Sequence, residues 1–162
     1  MDIAIFNQID MLIIHKVWKG TSMYKCIIHA TDLQEDHLHY CEQALEIAKA
    51  FHAELFLLHV LSIPGTWQLA QGLGFAETQP LPTANAEIVM QALGEQLNLH
   101  KNHLLIRQGN PRQAIIDTII ELQADLLLIG APTNPLYQAE MRHLSHYLAD
   151  HADCDVLLLR AK

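Results

Sequence analysis

The run Leu126-Leu127-Leu128-Ile129, set between Asp125 and Gly130, constrains this chain more than any other stretch. Four consecutive large apolar residues bounded by an acid and a glycine read as a short strand with no face left for water. Strands of that kind belong to parallel sheets covered by helices on both sides. The turn that follows, Ala131-Pro132-Thr133-Asn134-Pro135, falls at the carboxyl end of the strand, where open α/β sheets bind their ligands. A glycine-rich turn at that place cradles phosphate with main-chain N–H groups. This one carries two prolines and no second glycine. The frame of a nucleotide site is present without its phosphate cradle.

The rest of the chain fits that frame. Residues 24–31 read as the first strand, ending at Asp32. Residues 36–51 place Leu38, Cys41, Leu45 and Ala48 on one helical face, and 54–61 form a second, nearly all-apolar strand. Residues 83–99 carry Ala86, Val89, Met90, Leu93 and Leu97 at helical spacing, and 103–108 make the third strand. Gly109-Asn110-Pro111 turns into a helix with Asn110 as N-cap and Pro111 in the first turn. Ile115, Ile119 and Leu122 form its buried stripe. After the strand 125–129, Tyr137, Met141, Leu144 and Leu148 mark a last helix, which Asn134-Pro135 starts early; 155–160 is the closing strand. Alternation of this kind implies an α/β domain, an open parallel five-stranded sheet with helices on both faces and right-handed crossovers.

Composition narrows the function. With 51% hydrophobic and 17% charged residues the chain is globular rather than disordered. A formal net charge of −8, spread rather than massed, argues against nucleic acid and against an anionic membrane surface as partners. No apolar run approaches the roughly 18 residues of a membrane span, and no basic start precedes a long apolar region. Cys26, Cys41 and Cys154 are odd in number and lack C-x-x-C spacing. They read as buried reduced thiols in a cytoplasmic protein.

Residues 1–22 differ in texture, with Asp2, Asn7, Gln8 and Asp10 breaking up short apolar runs. They read as an extension upstream of a true start at Met23, with 23–162 as the single domain. Lys19-Gly20 can be encoded by a purine run suited to ribosome binding just before that methionine.

Several constellations are set aside. Among the 11 histidines, His37 and Cys41 lie one helical turn apart, as do His143 and His146. Zinc needs three or four converging ligands, and no H-E-x-x-H occurs, so no metal site is assigned. His29 and His59 lie on strands and read as core imidazoles with hydrogen-bond partners. There is no H-x-G-H run around His29 and no G-x-S-x-G elbow. No nucleophile stands beside a base in any motif, so no catalytic residue is assigned. Gly72-Leu73-Gly74 lacks the preceding strand and the third glycine of a dinucleotide fingerprint. The long connection 62–82, with Trp67 and Phe75, is the feature on which an adaptor function would rest.

Taken together, five stretches resemble the universal stress protein family over nearly all of residues 24–160. They are Tyr24-Lys25-Cys26-Ile27-Ile28-His29-Ala30-Thr31-Asp32-Leu33, Leu57-Leu58-His59-Val60, and Gly109-Asn110-Pro111 followed by Ala114-Ile115. The others are Ala124-Asp125-Leu126-Leu127-Leu128-Ile129-Gly130 and His151-Ala152-Asp153-Cys154-Asp155-Val156-Leu157-Leu158-Leu159. The resemblance implies a Rossmann-like sheet of order 3-2-1-4-5, with a crevice beside Asp32 and Gly130 where the order reverses.

In the nucleotide-binding branch of that family the aspartate holds the nucleoside, the second strand reads adenine, and phosphates lie on a G-x2-G-x8/9-G-(S/T) loop. By position Asp32 is present, Val60 lies in the adenine-reading strand and Gly130 is the first loop glycine. The second glycine falls at Thr133 and the final Gly-Ser near Arg142-His143; neither matches. A Cβ blocks close backbone approach at such positions, so ordinary ATP binding is not expected and no cofactor is assigned. What the resemblance implies first is a non-catalytic cytoplasmic stress-response protein. It acts as a homodimer through the closing strand, Val156, Leu157, Leu158 and Leu159, an apolar sheet edge that needs covering. The alternative is an adenine-nucleotide switch or slow ATPase, in which Asp32, Val60, Gly130 and Arg142 hold ATP or AMP, Arg142 offering the anion a side-chain donor.

Overall fold

The computed structural model describes residues 23–33, 37–62, 72–74, 83–131 and 135–160. Its elements in chain order are β1 (Cys26–Ala30), α1 (His37–Phe51), β2 (Glu54–Ser62), α2 (Thr83–Leu97), β3 (Leu104–Gly109), α3 (Pro111–Leu122), β4 (Leu126–Gly130), α4 (Pro135–His151) and β5 (Asp155–Leu159). The five strands form one sheet in the order β3-β2-β1-β4-β5, every pair parallel. This is the expected architecture, with element ends displaced by a residue or two. The segment before Met23, Trp67, Phe75 and Thr133 lie outside the described residues.

The apolar runs divide between two layers at every second residue. In β4, Leu126 and Leu128 pack with Tyr40, Cys41 and Ala44 of α1 and Met90 and Leu93 of α2. Leu127 and Ile129 pack with Ile115 and Ile119 of α3 and Leu148 of α4. Ile27 and Ile28, or Leu57 and Leu58, divide in the same way. Each such side chain contributes about 1.5–3 kcal/mol on burial, so both faces of the central strands are fixed and a one-residue slip is costly.

Two local differences from the sequence expectation have physical causes. His103 belongs to a 3₁₀ turn, Lys101–His103, whose cap His100 accepts the Asn102 N–H; its ring sits 4.6 Å from that of Phe56, and β3 starts one residue later. In α1 the buried stripe is Tyr40, Cys41, Ala44 and Ala48, with Leu38 and Leu45 only half-buried at its edge. The Tyr40 ring fills the space left by the missing side chain of Gly130.

Of the thiols, Cys41 is buried while Cys26 and Cys154 are half-buried. Burial pushes Cys41 up to about 12 and each of the others to about 11. Each shift favours the protonated thiol over the thiolate.

Asp125 sets β1 against β4. Its Oδ2 accepts the N–H groups of Lys25 at 2.7 Å and Cys26 at 2.9 Å, while its own N–H donates to the Cys26 carbonyl at 2.8 Å. The two strands begin level, so their carboxyl ends also finish side by side.

Candidate functional site

Those adjacent strand ends are where the sheet order reverses, and a crevice of about 670 Å³ opens there. Its floor is apolar, with Leu58 and Val60 of β2, Ile129 of β4, Ile115 of α3 and Met141 and Leu144 of α4. Thr31 and Asp32 border it at the end of β1, and Asn110, Pro111 and Arg112 at the start of α3.

The exit from β1 is braced by hydrogen bonds. The Thr31 N–H donates to the Leu58 carbonyl at 2.9 Å, and the half-buried His59 ring donates through Nδ1 to the Thr31 carbonyl at 2.9 Å. A carbonyl can only accept, so the proton is on Nδ1. Leu33, in the left-handed region at φ 59°, donates its N–H to Thr31 Oγ1 at 3.3 Å. Asp32 is thereby carried on a tight turn, exposed at the crevice.

Beneath the end of β1 lies His29, fully buried, its Nδ1–H donating to the Leu128 carbonyl at 3.1 Å. Its Nε2 has no partner among the described residues. Burial pushes its pKa down to about 4, against smaller upward pulls from the Leu128 carbonyl and Asp32. The expectation of a hydrogen-bonded core imidazole is met at one nitrogen only.

The four residues singled out by resemblance do not all converge. Asp32 and Val60 line the crevice. Gly130 closes β4, but its bare Cα faces the opposite layer, against the Tyr40 ring. Arg142 is exposed on α4 and is not among the lining residues, whereas its neighbours Met141 and Leu144 are. Sequence reasoning missed Arg112. Its signal was available, because it directly follows the Asn110-Pro111 cap at the carboxyl end of a strand, where ligands are met.

Chemically, the lining offers one carboxylate, one guanidinium and an imidazole committed to backbone. Among the described residues of the crevice no hydroxyl is hydrogen-bonded to a base, and Thr31 Oγ1 accepts a main-chain N–H. Among the described residues no three His, Cys, Asp or Glu side chains are grouped to hold a metal ion, and no helix is long and apolar enough to cross a membrane.

A doubly wound α/β sheet of order 3-2-1-4-5, with a crevice at the reversal, defines the class of protein. The chain belongs to the universal stress protein family, whose pattern matches residues 23–160. It is 24% identical over 122 residues to Universal stress protein A homolog 2 of Coxiella burnetii, covering 75% of this chain and 84% of that one. It is 25% identical over 150 residues to Universal stress protein MJ0531 of Methanocaldococcus jannaschii, covering 87% and 85%. Among solved structures it resembles a universal stress protein in complex with cAMP, with a TM-score of 0.61, 18% identity and coverage of 85% of this chain and 97% of that one. The Archaeoglobus fulgidus universal stress protein in complex with dAMP gives 0.57, 18%, 84% and 98%. At these identities the structural likeness is one of fold.

Proposed function

We propose that this stress-response protein is a non-catalytic cytoplasmic homodimer whose crevice does not hold ATP in the family's ordinary way. The observation that carries this is the start of α4 at Pro135. Arg142 and His143, where the family's last loop glycine and its hydroxyl residue would fall, lie two turns inside that helix. Main-chain N–H groups at such depth are committed to carbonyls four residues earlier, so they are closed to a phosphate. Calorimetric titration with ATP and Mg²⁺ is expected to give no saturable heat; a saturable curve overturns the proposal.

The edge strands support self-association. β3 carries Arg107 and Gln108, whereas β5 exposes Leu157 at 44% and Leu158 at 38%. An apolar edge with open N–H and C=O groups is a template for another strand, and a second copy covers it with a self-complementary contact. Light scattering at micromolar protein is expected to give the dimer mass.

A second reading is favoured by the crevice itself. Its 670 Å³ falls in the range of small-ligand sites, about 300–1,000 Å³. Its apolar floor and lone carboxylate suit a base and a sugar. In this reading it takes an adenine nucleotide smaller than ATP as a switch. Saturable AMP binding that is lost in Asp32→Ala is the expected result; AMP binding untouched by that change would place the ligand elsewhere.

A further inference from the structure

Arg112 is the only Lys or Arg among the described residues lining the crevice. No carboxylate pairs with it among the described residues, whereas Arg107 pairs with Glu121 at 3.0 Å. Its guanidinium carbon lies 5.0 Å from the centre of the Tyr147 ring. That ring is stacked in turn on His151, with centroids 4.1 Å apart and planes 11° from parallel. A contact with a ring consumes no hydrogen-bond acceptor, so it steadies the guanidinium without pairing its N–H donors.

The first turn of α3 has few other donors. Pro111 has no N–H, the Arg112 N–H is taken by Asn110 Oδ1 at 2.9 Å, and the Ala114 N–H by the Asn110 carbonyl at 2.9 Å. Within 111–114 only the Gln113 amide is left over, so anion recognition at this end falls to the guanidinium.

Resting on the second reading above, we propose that Arg112 is the phosphate-recognising residue of the crevice, and that the ligand class is a nucleoside monophosphate. One guanidinium and one carboxylate leave the described lining without surplus positive charge, and the chain carries −8 overall. A single phosphate matches one bidentate fork; among the described lining residues there is no second Lys or Arg for the further phosphates of ATP. The anion is thus read at the start of α3 instead of on the turn after β4.

The test is calorimetric titration of the full chain with adenosine, AMP and ATP, repeated on Arg112→Gln and Tyr147→Leu. AMP is expected to bind about tenfold to a hundredfold more tightly than adenosine, and ATP no more tightly than AMP. Arg112→Gln brings AMP down to the adenosine level while leaving adenosine unchanged, and Tyr147→Leu gives a smaller loss of the same kind. An AMP-to-adenosine ratio that survives Arg112→Gln overturns the assignment and leaves the crevice reading intact. If neither adenosine nor AMP binds the unaltered protein, the crevice reading fails and takes the assignment with it. Arg112 is exposed, so an unfolding midpoint unchanged in Arg112→Gln confirms that the loss is one of recognition.

Discussion

The ring of Tyr40 occupies the space that a side chain at position 130 would need: a Cβ on Gly130 would lie 2.6 Å from Tyr40 Cδ2 and 2.9 Å from Cγ. The same tyrosine donates its hydroxyl proton to the Ala131 carbonyl. Helix α1 is thereby fastened to the chain leaving β4, on the face of the sheet away from the crevice. A glycine that resemblance ties to a phosphate loop has a sufficient reason in packing alone.

Gly130→Ala should therefore destabilise the protein by about 1–3 kcal/mol, as overpacking does when a ring cannot retreat along a flexible stem. The cost is steric, because Gly130 is not among the glycines with positive φ. It should shrink below about 1 kcal/mol in a Tyr40→Ala background, where the space is empty. Tyr40→Phe keeps the ring and should lose about 1 kcal/mol for the hydrogen bond. Urea unfolding of the four variants makes the comparison; an undiminished Gly130→Ala penalty without the tyrosine refutes it.

Asp125 supplies the next expectation. Its carboxylate accepts two main-chain N–H groups from the start of β1, and Asp125→Ala leaves both without that partner. Hydrogen bonds to a charged acceptor contribute about 1.5–3 kcal/mol each, less where water can replace them. The variant should lose about 2 kcal/mol in urea unfolding. Asp125→Asn, which keeps an acceptor oxygen, should lose less. Equal losses would mean that charge, not the acceptor geometry, is what matters.

These two residues also show what could be read from the chain in advance. Leu126 to Ile129 announced a doubly covered strand because hydrophobic burial is written in composition and order, and the layers followed from alternation. Asp125 was legible as the boundary of that strand. Its grip on Lys25 and Cys26 was not, since nothing local indicates which distant amides a carboxylate will meet. Tyr40 was passed over because spacing alone favours Leu38 and Leu45 for the buried face. What reverses that is the vacancy at Gly130, ninety residues away in sequence. For the crevice, Asp32 and Val60 came from the family resemblance and both line it, whereas Arg142 does not, because packing turns Met141 and Leu144 of α4 toward the floor and leaves Arg142 exposed.

Leu157 and Leu158 alternate across the pleat of β5, so each sheet layer presents one exposed leucine at that edge. Leu157→Lys puts a charge on the edge without disturbing the backbone, and Leu158→Pro removes a main-chain donor as well. Both are expected to shift the light-scattering mass at micromolar protein from dimer to monomer. Leu157→Lys should leave the unfolding cooperative. Dimers persisting in both variants would locate the contact on another surface.

His29 gives the pH dependence a definite sign. Its unfolded-state pKa is about 6.5, and burial lowers the folded value to about 4. Above pH 6.5 both states hold a neutral ring and the residue adds no pH dependence. Between there and pH 4 the unfolded chain takes up a proton that the folded one refuses, so stability falls as pH falls. Below pH 4 both forms are protonated and the loss levels off, at a total on the order of 3 kcal/mol. His29→Leu abolishes this titration, although it also forfeits the bond to the Leu128 carbonyl, so the slope and not the absolute stability is the quantity to compare. Urea unfolding at intervals from pH 7.5 to pH 4 should show the natural protein losing up to about 1.4 kcal/mol per pH unit more than the variant. Parallel curves would mean that the imidazole already finds a proton partner in the folded state, through the Nε2 that is orphaned among the described residues.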